Sequence, residues 1–164
     1  MSFRITGLAP DLFSDLFDLT DAELQARRAR RVVAQNDGAY PCRISLDDAA
    51  PGEVLILTHY RHHAVDSPFR ASHAIYVRAR QIQYDGIDVV PEQLRKRLLS
   101  LRSFDSNGML VDAEVVDGSA LETLIGGLFA NERAAYLHIH FARPGCYAAR
   151  VDRVQLPGAR IATQ

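Results

Sequence analysis

The chain has 164 residues, 48% hydrophobic and 24% charged. That is the length of one ordinary domain, able to bury about 70% of the surface its unfolded form exposes, which excludes disorder and any need for metal or disulfide to supply the core. Its 19 basic and 20 acidic residues nearly cancel and the pI is near 6.6, so no global attraction draws it to nucleic acid or an anionic membrane.

No stretch approaches the ~20 apolar residues of a membrane span. The start, Met1-Ser2-Phe3-Arg4, has neither a basic leader nor a signal-length apolar run, and it reads as a cytoplasmic protein. Cys42 and Cys146 are too few for a disulfide scaffold. Lys96 is the only lysine, and the arginine excess is first a matter of genome composition, so function is argued only from particular arginines.

In chain order, Phe3 and Ile5 alternate with polar residues as in a short edge strand. Leu12, Phe13, Leu16 and Phe17 have helical spacing, and Thr20 with Glu23 forms a capping box opening a helix over 21–34. Arg27, Arg28, Arg30 and Arg31 then lie on that helix as a solvated face. After the Asn36-Asp37-Gly38 turn, residues 42–46 alternate as a strand, and residues 53–60 form a nearly continuous apolar strand. Residues 61–72 have no period and read as a loop, and 73–80 resume strand character. Pro91 and the leucines after it predict a helix over 91–102. Residues 109–116 read as a strand. Ser119 and Glu122 form a second capping box for a helix through Phe129, strands follow at 135–142 and 147–154, and the tail from Pro157 is peripheral. The pattern predicts a single α+β domain over 1–164, with a mainly antiparallel sheet of six or seven strands partly covered by helices.

The sharpest chemical feature is His138-Ile139-His140. Strand side chains repeat every two residues, so both imidazoles share one side while Leu137, Ile139 and Phe141 face the other. Two imidazoles on a rigid platform suit metal ligation, against the blander reading of two half-exposed side chains. The pair runs into Arg143-Pro144-Gly145-Cys146, which sets a guanidinium and a thiol at the strand's end. A second cluster holds His59, His62, His63 and His73, with Ser67-Pro68-Phe69-Arg70 between. His59 shares a face with Leu55 and Leu57 and reads as a core histidine. Arg70, stiffened by Pro68, suits an anion clamp. Tyr40-Pro41-Cys42-Arg43 enters a strand as Cys146 does, so the two thiols are candidate neighbours, although two separately buried thiols are the simpler reading. Phosphate-loop and nucleophile-elbow motifs are absent from the sequence.

The segments YPCR at 40–43, SPFR at 67–70, RLLSLRSFD at 97–105 and HIHFARPGCYAARVDR at 138–153 resemble an uncharacterised bacterial family, catalogued as domain of unknown function 1203. The resemblance covers nearly the whole chain and implies no reaction. It draws attention to Cys42, Arg43, His62, Ser67, Arg70, His138, His140, Arg143 and Cys146. This chain departs from the family pattern at His73, where glycine is usual, and at Phe141, where asparagine is usual.

Three functions fit these residues. In a binding module, Arg43, Ser67, Arg70 and Arg143 receive a small carboxylate or phosphate. In a metal-dependent, hydrolase-like enzyme, His62, His138 and His140 hold a divalent metal as cofactor. In a thiol redox protein, Cys42 and Cys146 pair. The expected partner is a small anion, with no nucleic acid and no membrane.

Overall fold

The computed structural model describes residues 1–154, so the expected peripheral tail lies outside the described residues. The elements in chain order are β1 (Phe3–Thr6), α1 (Asp21–Ala26), β2 (Ala29–Val33), β3 (Val54–His63), β4 (Ala71–Val77), β5 (Asp85–Ile87), α2 (Glu92–Arg95), β6 (Leu98–Phe104), β7 (Leu110–Asp117), α3 (Leu121–Phe129), β8 (Tyr136–Phe141) and β9 (Tyr147–Arg153). Short 3-10 turns cover 10–12, 14–18 and 118–120. The class is α+β, and the strands form two sheets: a six-stranded one in the order β5-β1-β9-β8-β6-β7 and a three-stranded one in the order β2-β3-β4. All pairings between these strands are antiparallel. Among the described residues no helix is long and apolar enough to cross a membrane.

The six-stranded sheet is covered on one face by α2 and α3. Leu94, Leu121, Ile125 and Phe129 pack there against Leu99, Leu101, Leu137, Ile139 and Val151. Over its other face lie the three-stranded sheet and the N-terminal turns, where Phe13, Leu24, Cys42, Ile56 and Ile75 pack with Tyr147 of β9. With a layer on each side, β8 is buried at every residue from Tyr136 to Phe141.

Several local expectations give way to tertiary context. The Thr20–Glu23 capping box is present, with the Thr20 amide donating to Glu23 Oε2 at 2.8 Å. The helix it opens is short, however. Arg28 takes a left-handed φ of 56°, which ends the helix and turns Ala29–Val33 into a strand along β3. The four arginines are therefore not one helix face. The predicted helix over 91–102 is a single turn followed by β6, whose Leu99 and Leu101 alternate with Ser100 and Arg102. Residues 42–46 contribute only an isolated bridge, Cys42 to Tyr76, and the predicted loop over 61–72 is strand at both ends. The predicted Ser119–Glu122 box does not form: α3 starts after Ala120 with no side-chain cap, Asp117 instead caps the preceding 3-10 turn by accepting from the Ser119 amide at 2.9 Å, and Glu122 pairs with Arg95.

Candidate metal and anion site

The period of β8 sets Tyr136, His138 and His140 on the face turned toward the three-stranded sheet. Arg102 of β6 stands opposite His138 in register, as does Arg150 of β9. Two bulges bring further rings to the same place. In β9 the register slips after Ile139–Ala149, so that Tyr147, not Ala148, stands opposite His140. In β3, Arg61 and His62 together oppose a single residue of β4, because Tyr60 pairs with His73 and His63 with Ala71. Such an extra residue re-aims the strand's side chains. Consecutive residues His62 and His63 thus both reach the β8 histidines, with ring centroids 5.0 Å from His62 to His140 and 4.9 Å from His63 to His138.

One ring nitrogen from each of His62, His138 and His140 lies within 4.8 Å of the other two. His138 and His140 are only 3% and 1% exposed, and His62 is half-buried. His140 Nδ1 is 3.0 Å from the Gly145 carbonyl, which can only accept, so the proton sits on Nδ1 and Nε2 keeps its lone pair. That Nε2, His138 Nδ1 and His62 Nδ1 are buried without any hydrogen-bond partner among the described residues. Burial, the largest cause in each case, holds His62 down to about 4, His138 to about 2 and His140 to about 3. The positive charge of Arg102 adds to the effect on His62 and His140. All three imidazoles are therefore neutral at pH 7, the form a metal requires.

His63 is held differently. Its Nδ1 donates to the Phe69 carbonyl at 2.8 Å, so its Nε2 accepts the Tyr136 hydroxyl at 2.7 Å. With both nitrogens engaged it buttresses His138 and carries no free lone pair. Tyr147 stacks on His62 at 5.1 Å with an interplanar angle of 11°, which fixes that ring. Of the three rings, His140 alone has the hydrogen-bonded outer partner usual for a metal-binding histidine among the described residues, while ring contacts with Tyr147 and His63 position His62 and His138.

The site opens on a cavity of about 360 Å³ lined in part by His62, His63, His140, Arg70 and Arg102, with Phe69, Phe104 and Leu110 as apolar wall. Among the described residues no acidic one lines it. Arg70 reaches it from the 64–70 loop, with Nε on the Val65 carbonyl at 3.1 Å. Ser67, expected at the ligand, instead ties the loop down: its Oγ donates to the Gly108 carbonyl at 2.9 Å and accepts the Phe69 amide at 3.1 Å. Arg43, also expected there, is buried within the fold. It donates to the carbonyls of Tyr147 at 2.6 Å and of Pro41, and to Cys146 Sγ at 3.0 Å. Arg143 is exposed past the end of β8 and lines a separate depression with Lys96 and Arg97. Cys42 and Cys146 are free, buried thiols in different apolar clusters. His59, expected in the core, is exposed on the outer face of the three-stranded sheet.

Arg102 and Tyr147 escaped the sequence reading. The strand period of RLLSLRSFD was the available signal for Arg102, masked by leucines that also fit a helix. Nothing in the sequence marks the bulge that turns Tyr147 inward.

Residues 39–153 match the model of a family described as Protein of unknown function (DUF1203), and the chain belongs to that family. No curated protein and no solved structure matches the chain.

Proposed function

We propose that the protein binds a divalent metal ion through His62, His138 and His140 and uses it on a small anionic molecule held in the adjoining cavity. The observation that carries this reading is the convergence of one ring nitrogen from each of the three histidines to within 4.8 Å of the others, at rings that each also hold a buried nitrogen without a hydrogen-bond partner among the described residues. Leaving a buried polar atom unsatisfied costs about 1–3 kcal/mol, so three together are most simply supported by a shared ligand. Tetrahedral ligation at ~2.1 Å needs nitrogens about 3.4 Å apart, so the rings must close slightly around the ion. Three histidine nitrogens would leave such an ion a further coordination position, and it would supply Lewis-acid polarisation of a carbonyl or phosphoryl oxygen, or a water of lowered pKa. Arg70 and Arg102 supply positive charge for the anion.

The test is elemental analysis of protein purified without a histidine tag from metal-replete cells. About one equivalent of zinc, iron or manganese is expected, and the double variant His138→Ala/His140→Ala should lose it. A metal-free wild type sinks the reading. A second reading, a metal-free anion receptor, draws support from the two cavity arginines and from a lining with no acidic residue among the described ones. In that case the anion binds with equal affinity after treatment with a chelator.

A further inference from the structure

Among the described residues, Arg102 stands beside the three histidines without a hydrogen-bond or carboxylate partner. It leaves β6 directly opposite His138, on the same face of the sheet, and lines the cavity beside His140 and His62. It is half-buried. Arg150, opposite His138 on the other side, has already found its anion, bidentate on Asp152 at 2.8–3.0 Å. Arg97 and Arg78 likewise hold Asp48 and Glu53. A half-buried guanidinium facing a cavity with no acidic lining among the described residues is a receptor for an anion brought from outside.

The walls narrow the choice of anion. Phe69, Phe104 and Leu110 offer no hydrogen-bonding side chain, and at about 360 Å³ the space suits a small molecule. A sugar phosphate or nucleotide would leave many hydroxyls against apolar wall, whereas a carboxylic acid with an apolar or aromatic stem satisfies both halves. We infer that Arg102 is the anchor for the carboxylate of a small organic acid with an apolar stem, which lies along Phe69 and Phe104 and presents a second donor atom to the three histidines. The location of the metal-facing end rests on the reading above; the role of Arg102 does not.

Charge supports the same assignment. Three neutral imidazoles leave a divalent ion its full charge, and Arg102 adds another, so a ligand that enters without negative charge leaves the excess uncompensated in a low-dielectric site.

The experiment is calorimetric titration of zinc-loaded protein with phenylacetate, acetate and inorganic phosphate, on the wild type, Arg102→Gln and Arg102→Lys. Phenylacetate should bind about tenfold or more tighter than acetate, and more tightly than phosphate. Arg102→Gln should weaken phenylacetate by at least about tenfold, the lysine variant by less, with zinc stoichiometry and melting temperature unchanged in both. Equal affinity in wild type and Arg102→Gln, or preference for phosphate, overturns the assignment. Repeating the titration after chelation separates the two ideas. Arginine-dependent binding by a protein that takes up no zinc keeps Arg102 as the anchor and removes the metal.

Discussion

The three imidazoles form a store of uncompensated desolvation in the metal-free protein, and its sign can be worked out. In the unfolded chain each titrates near 6.5, whereas in the fold they stay neutral down to about 4, 2 and 3 for His62, His138 and His140. Between these limits the unfolded chain binds protons that the folded chain refuses. Folding stability is thus intact above pH 6.5 and falls as the pH drops below it. The slope is up to about 1.4 kcal/mol per pH unit for each fully buried ring, and smaller for the partly solvated His62. Urea midpoints of chelated protein should therefore drop steeply from pH 7 to pH 5. In His138→Asn/His140→Asn the decline should be shallower; identical slopes would mean that these rings are not neutral in the fold. His138 and His140 were legible because strand period alone places both on one face. Their depth was not, since a sequence does not say that a second sheet will close over them.

At the scale of elements, legibility follows how local the determining interaction is. The Thr20–Glu23 cap is four residues long and legible in the sequence; the end of its helix depends on Arg28 adopting φ 56° with no glycine to signal it. The leucines of 98–101 fit a helix and a strand, and pairing with β7 and β8 decides for the strand. His62 was drawn out by family resemblance, not by period, because a bulge is defined by the strand opposite. Arg143 misses the cavity because it lies two residues beyond the end of β8, in the turn, where it lines a separate depression. The join between α2 and α3 allows a direct test. A Cβ on Gly118 would lie 2.0 Å from the Leu94 carbonyl oxygen, whereas one on Gly126, within α3, meets nothing within 4 Å. Gly118→Ala should destabilise by more than about 2 kcal/mol, because backbone must move. Gly126→Ala should stabilise by up to about 1 kcal/mol through helix propensity. Chemical denaturation of the two variants checks both signs.

On the scale of the molecule, the proposed site lies between layers. His138 and His140 belong to the six-stranded sheet and His62 to the three-stranded one, so an ion held by all three ties the sheets together across the apolar cluster around Tyr147. Ligation then acts on global stability, since the unfolded chain lacks the converged nitrogens. At a free metal concentration of 100 times Kd the folded state gains about 2.7 kcal/mol. For a chain of 164 residues this corresponds to a rise in melting temperature of several degrees, at about 2–4 °C per kcal/mol. The gain should vanish in His62→Ala, whose remaining pair lies on one strand, and should persist in Arg43→Met, whose guanidinium works within the fold and not on the ion. Equal stabilisation of wild type and His62→Ala by zinc would place the ion on β8 alone and dissolve the idea of a clamp. Stabilisation lost only on removing His62, His138 or His140 would tie the two sheets to one ion.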